Sequence, residues 1–248
     1  MSRLWQSVVS IWAWLVLVVC VLLWLPLMFL ARLVTAPFDR GRYFVGYLFR
    51  QIPVVMVTLN PLWRFRCIGA MPPNPRNPYV VVSNHESFVD ILLISHLPWE
   101  MKWLSKAELF RIPVLGWLML LAGDIPIKRG FGPSAIEAIA RCRAALANRV
   151  SVMIFPEGTR SPTEDMLPFK DGAFRLAIDA GVPILPIVVH GTRTALRKHD
   201  WRLGRSTAVV RVLPPVETSG LTAEDVPELK QRVRQLILDA RAELTAGG

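Results

Sequence analysis

"YVVVSNHESFVDILLI", residues 79–94, decides the fold of this chain. Four apolar residues ahead of a Ser-Asn pair fit a strand buried on both faces, the way strands of parallel sheets read in sequence. A helix is expected to open near Asp90, so the segment reads as strand, loop and helix in quick succession. The loop carries a histidine and a carboxylate, His85 and Asp90, five positions apart. In a regular helix such positions lie about 140° apart around the axis. Their side chains meet only if the chain turns between them, as a strand end running into a helix does.

Outward from this unit the same alternation continues. It places a strand at "MKWLS" (101–105), a helix over "PVLGWLMLLA" (113–122) and a strand at "DIPIK" (124–128). A capping-box pattern, Ser134 with Glu137, predicts a helix running to about Asn148. Then come "SVMIF" (151–155), a helix over 173–180, strands at 184–189 and 208–213, and a last helix opened by Thr222 and Asp225. The expectation is an α/β fold: a mostly parallel mixed sheet flanked by helices, with functional loops at strand ends.

The N-terminal part reads differently. Residues 4–31 contain no charge, and at 1.5 Å per residue they are long enough to cross a hydrocarbon core of about 30 Å. The stretch is too long for a cleaved signal peptide, and no small-residue cleavage site follows it. Pro26 is a candidate kink. A second apolar stretch, 44–63, is interrupted by Arg50, Gln51, Pro53, Asn60 and Pro61, and reads as an interfacial or re-entrant helix. Residues 1–63 are therefore expected to be membrane-anchoring helices, and 64–248 a single body whose boundary is marked by the turn-rich "PPNPRNP".

The net charge is +10, and residues 1–80 hold eight arginines against one acid, Asp39. Such a cluster beside an apolar segment predicts attraction to anionic lipid headgroups and a body on the cytoplasmic face of the membrane. No zinc spacing or RNA-binding signature is present, so nucleic acid is not an expected partner. Cys20, Cys67 and Cys142 are scattered, which points to a reduced compartment without a disulfide framework or metal site. The chain has no "GxGxxG" and no Walker loop, so nucleotide-dependent redox and phosphoryl transfer lack support.

Four loops could carry chemistry. In "NHESFVD", a hydrogen bond from one ring nitrogen of His85 to Asp90 would leave the other nitrogen as a base; a structural pair is the bland reading. In "FPEGTRS" (155–161), Arg160 and a glycine-containing loop suit a phosphate. Glu157 would repel that phosphate unless an arginine pairs with it or it takes a hydroxyl proton; the bland reading is a surface salt bridge to Arg160. In "GDIPIKRG" (123–130), Arg129 could bind a second phosphate oxygen or be a solvated turn charge. "GVPILPIVVHG" reads as core, and Lys106, Lys170 and His190 lie near strand ends without further distinction.

The order "NHESFVD", "GDIPIKR", "FPEGTRS", "VPILPI" resembles the four blocks of the glycerolipid acyltransferase family, the lysophosphatidic acid acyltransferase type, over residues 63–213. The resemblance implies that 64–248 is an acyltransferase domain. It would move a fatty acyl group from a thioester, acyl-CoA or acyl carrier protein, to the sn-2 hydroxyl of lysophosphatidic acid, forming phosphatidic acid at the cytoplasmic (inner) membrane. His85 would be the general base and Asp90 its orienting group. Arg129, Glu157, Gly158, Thr159 and Arg160 would bind the acceptor. No metal or cofactor is implied beyond the donor substrate. Where the family often carries an acid before the arginine of its second block, this chain has Lys128. Other lysolipid acceptors, such as a lyso-ornithine lipid, and a membrane-bound hydrolase or lipid-binding protein are the rival readings.

Overall fold

The computed structural model describes residues 2–128, 130–197 and 200–247. Its elements are α1 (Arg3–Thr35), α2 (Tyr43–Thr58), β1 (Trp63–Gly69), β2 (Val80–Ser83), α3 (Asp90–Ile94), β3 (Met101–Lys106), α4 (Leu115–Ala122), β4 (Ile125–Ile127), α5 (Gly132–Ala147), β5 (Ser151–Ile154), α6 (Gly172–Ala180), β6 (Ile184–His190), β7 (Ser206–Val212) and α7 (Val226–Ala246). The strands form one sheet in the order β1-β7-β6-β2-β5-β3-β4. Every adjacent pair is parallel except β6 with β7. The expected mostly parallel mixed sheet is what the chain forms.

The central strands β2 and β5 are buried along their whole length, and their side chains alternate between two cores. Val80 and Val82 face a core built with α5, α6 and α7, whereas Val81 faces one that includes Leu93 and Ile94 of α3 and Trp103 of β3. The parallel run of β2, β3, β4, β5 and β6 brings the loops after them to one sheet edge. That edge is where "NHESFVD", "FPEGTRS" and the turn after β6 converge.

Three details depart from the sequence reading. The first strand, "WRFRCIG", was not expected; Trp63, Phe65 and Cys67 face inward while Arg64 and Arg66 face solvent. The Ser134 capping box does not form, because Pro133 lies in the first turn and α5 opens at Gly132. The Ser134 hydroxyl instead accepts from the Lys128 N–H at 2.9 Å. The same motif at Thr222 and Asp225 does form, and caps the short 3-10 turn (Ala223–Asp225) that leads into α7. Pro26 sits inside α1, which continues through it to Thr35.

Helix α1 is the one helix among the described residues long and apolar enough to cross a membrane. It does not stand apart from the body. Val9, Ala13, Val16, Cys20 and Met28, at steps of three, four and eight residues, form a buried stripe. That stripe packs on α2, α4 and the side chains of Ala195, Leu196 and Leu203. Ser10 Oγ accepts from the Leu203 N–H at 2.9 Å, and the Trp14 indole donates to the Trp201 carbonyl at 2.9 Å. The opposite face presents Leu4, Ile11, Trp12, Leu15, Leu22 and Leu30 outward, an apolar surface suited to lipid.

Arg50, counted from sequence among charges facing headgroups, is turned inward. Its guanidinium bonds Asp124 and lies 3.5 Å from Glu100, whose other oxygen takes the Lys102 ammonium at 2.9 Å. All four residues are buried. Gly46, one turn earlier on α2, lets the helix come close: a Cβ there would clash with Glu100 Oε1. Asp39, the one acid of the N-terminal part, is buried too and caps α2 by accepting from the Tyr43 and Phe44 N–H groups, both at 2.9 Å.

Candidate active site

At the end of β2 the chain leaves the sheet through Asn84, whose side-chain amide pairs with both main-chain groups of Val189 at 2.9 Å. This fixes the loop to β6 before it turns. Asp90 then opens α3, and its Oδ2 accepts three N–H groups: His85 Nδ1 at 2.8 Å, Glu86 N at 2.7 Å and Ser87 N at 2.9 Å. Its Oδ1 accepts the hydroxyl of Thr192, from the turn after β6. Asp90 is fully buried, and its charge is offset by these donors. Because Oδ2 is an acceptor throughout, the Nδ1 of His85 carries the proton and Nε2 holds the lone pair.

The His85 imidazole lies flat on the Phe155 ring, 3.9 Å between centroids and 14° between planes. Phe155 is the first residue after β5, so the stack joins the two central loops and fixes the ring plane. Glu157 makes the second joint. Its Oε1 accepts the His85 main-chain N–H and its Oε2 that of Leu167, both at 2.8 Å. Burial pushes its carboxyl above the usual carboxylate range, against the pull of these two N–H groups. It is buried, and both its oxygens are taken by these main-chain groups, so a buried brace replaces the surface pair with Arg160 weighed from sequence. A third joint is the Ser161 N–H, which donates to the His85 carbonyl at 3.0 Å.

His85 faces a cleft of about 360 Å3 whose walls include Phe88, Ile91, Ser105, Lys106, Thr159 and Arg160. Arg160 and Thr159 are exposed at its mouth, and Lys106 adds a second cation there. Gly158, in the left-handed region at φ +75°, lets the loop turn past Lys170; a Cβ on it would lie 2.8 Å from the Lys170 ammonium. Arg129 lies outside the described residues. Its neighbours Lys128 and Gly130 border a second cleft of about 420 Å3 that also includes Lys170 and shares Phe155 and Leu104 with the first. Beyond Phe88 and Ile91, toward the N-terminal helices, lies a more enclosed cavity of about 150 Å3, walled by Trp14, Phe49, Met56, Leu92 and other apolar side chains.

The structure therefore brings His85, Asp90, Glu157, Thr159 and Arg160 to one site. Phe155, Thr192, Asn84 and Lys106 belong to it and were missed or left unranked. Their partners are 70 to 105 positions away for Phe155, Thr192 and Asn84, a separation that no local spacing reveals. Chemically, a fixed imidazole with a free Nε2, cations at the cleft mouth and an apolar cavity behind suit proton abstraction from the hydroxyl of an anionic, lipid-like molecule.

Three comparisons bear on this geometry. The sequence profile of the acyltransferase family matches residues 64–190. Human 1-acyl-sn-glycerol-3-phosphate acyltransferase alpha is 43% identical over 176 residues, covering 70% of this chain and 62% of that protein. The Saccharomyces cerevisiae 1-acyl-sn-glycerol-3-phosphate acyltransferase is 34% identical over 173 residues, covering 68% of this chain and 57% of that protein. The chain thus spans roughly three fifths of the length of these relatives. The crystal structure of the 1-acyl-sn-glycerophosphate (LPA) acyltransferase PlsC from Thermotoga maritima matches with a TM-score of 0.83 at 23% identity, covering 99% of this chain and 98% of that one, which shows a shared fold.

Proposed function

The chain belongs to the acyltransferase family, and from that premise we propose that it transfers a fatty acyl group from a thioester to the sn-2 hydroxyl of lysophosphatidic acid, producing phosphatidic acid. The observation that carries this reading is the His85–Asp90 pair at 2.8 Å, set between a cleft with cations at its mouth and an apolar cavity. The names of relatives at 34–43% identity support the acceptor.

In this account His85 Nε2 takes the proton of the acceptor hydroxyl as its oxygen attacks the thioester carbonyl carbon. Asp90 holds the imidazolium that results through the same Nδ1–H bond that holds the neutral ring, and the Glu86 and Ser87 N–H groups hold the carboxylate in place. The tetrahedral intermediate collapses with cleavage of the carbon–sulfur bond, and the imidazolium returns the proton to the departing thiolate. General-base assistance of this kind is worth about 10²- to 10⁴-fold. Arg160, Thr159 and Lys106 bind the acceptor phosphate, with Arg129 as a further ligand. Gly158 gives the loop after β5 its turn, and Glu157 holds that loop against the base rather than touching the phosphate.

The acyl chain extends past Phe88 and Ile91 into the apolar cavity between α1, α2 and α3. Residues 1–63 anchor the body, with the outward face of α1 in the lipid, so that the acceptor reaches His85 without leaving the bilayer. The donor is acyl-CoA or acyl carrier protein, and the membrane is the cytoplasmic one, with the body on its cytoplasmic face. The test is product analysis: purified full-length protein in detergent is given each labelled thioester with lysophosphatidic acid, lysophosphatidylcholine or a lyso-ornithine lipid. Phosphatidic acid as the main product supports the proposal. Acylation of another lysolipid, or release of free fatty acid only, overturns it.

A further inference from the structure

Glu86, next to the candidate base, has no part in the chemistry above, yet it is buried and held by a residue 155 positions away. Arg241, on α7, donates from Nε to Glu86 Oε1 at 3.1 Å and from Nη1 to the Glu164 carbonyl. We propose that Arg241 is a positioning residue for the His85–Asp90 pair, acting through Glu86; this rests on the acyl-transfer reading of the same site.

The bonds close a ring around the pair. The Glu86 N–H is one of the donors on Asp90 Oδ2, so fixing the Glu86 side chain fixes the peptide that holds the carboxylate. From the other side Thr192 bonds Asp90, and its neighbour Arg193 donates to the carbonyls of Ser161 and Thr163. The same loop, through Glu164, is the second ligand of Arg241, and its Ser161 N–H returns to the His85 carbonyl. Helix α7 thereby fastens the turn before Asp90 and the loop beside it with a single guanidinium, whose planar donors suit two acceptors at once.

The charged groups around Glu86 are Asp90 of α3, Arg241 of α7 and Arg193 of the turn after β6; Glu164 and His190 stand beside Arg241. Burial, and then Asp90, push the Glu86 carboxyl up to about 7, while the two arginines oppose the shift. Above that pH the ion pair with Arg241 is closed and the turn is held. Below it Glu86 is neutral and the hold weakens.

The test uses the full-length protein in detergent micelles, with acyl transfer followed against pH for wild type, Glu86→Gln, Arg241→Met, the double variant and Arg241→Lys. Losing a hydrogen bond to a charged group should lower kcat by about tenfold or more in each single variant, with both KM values little changed. The double variant should be no slower than the worse single one, and Arg241→Lys should recover part of the loss. The wild-type acid limb should contain an ionisation at about 7 that Glu86→Gln removes. Amide hydrogen exchange at residues 86–87 should speed up in Arg241→Met while the β2 and β5 amides stay protected. Unchanged kcat, acid limb and exchange would overturn the proposal. Absence of phosphatidic acid from the wild type would overturn the acyl-transfer reading instead, and the exchange result alone would then decide whether Arg241 holds the turn.

Discussion

His85 and Asp90 meet at 2.8 Å because Asp90 is the first residue of α3, and its carboxylate folds back over the turn to take the N–H groups of Glu86 and Ser87 as well. The pair is thus built by the main chain of the turn it closes. Anything that loosens the turn moves the imidazole.

Glu157→Gln is the sharpest test of the brace behind the base. Each Glu157 oxygen accepts one main-chain N–H, at 2.8 Å. A glutamine amide keeps one acceptor and turns an NH2 group toward the other donor. Leaving a buried N–H unpaired costs about 1–3 kcal/mol. The expected result is a loss of stability in that range, read by urea unfolding, together with a fall in kcat at nearly constant KM for the acceptor.

Arg50→Met removes one cation from the buried cluster of Arg50, Lys102, Glu100 and Asp124. The remaining charges are uncompensated, and breaking such a set by deleting one partner costs about 3–5 kcal/mol. Denaturant unfolding should show a loss of that size. Gly46→Ala should also destabilise, because its Cβ would press on the Glu100 carboxylate, which cannot withdraw into solvent.

The raised carboxyl of Glu86 has a consequence for stability. Its ordinary value is 4.5 and its folded value about 7, so the native state holds the proton more tightly than the unfolded chain does. Between these values stability falls as pH rises, and the loss is complete above the folded value. Glu86→Gln abolishes this dependence. Its stability relative to wild type should therefore move in the variant's favour from pH 5 to pH 8, measured by denaturant unfolding at both.

The apolar cavity behind Phe88 and Ile91 should set which acyl chains are accepted. Met56 forms part of its wall. Met56→Trp fills space that a chain would occupy, so competition among thioesters of graded length should shift toward shorter chains. An unchanged length preference in a folded variant would place the chain elsewhere.

What the sequence allowed to be read follows from the range of the interactions involved. Strands β2 and β5 were legible because a strand buried on both faces is a plain apolar run. The strand β1 was not: Arg64 and Arg66 look like headgroup ligands when their inward neighbours Trp63, Phe65 and Cys67 have no visible partner strand. Thr222 and Ser134 begin the same capping pattern, but α5 opens at Gly132, ahead of Ser134, and Glu137 pairs with Arg141 instead of closing a box. The His85–Asp90 pair was legible because it is local. The inward turn of Arg50 was not, since its partners Glu100 and Asp124 lie 50 and 74 residues on. Glu157 showed its place in the site but not its partners, the His85 and Leu167 N–H groups.

The central claim is that His85 is the base of an acyl transfer, and the direct measurement compares phosphatidic acid formation by wild type and His85→Ala with saturating acyl thioester and lysophosphatidic acid. The account predicts that the variant binds both substrates with nearly unchanged KM and loses about 10²- to 10⁴-fold in kcat. Equal rates in the two proteins would contradict it.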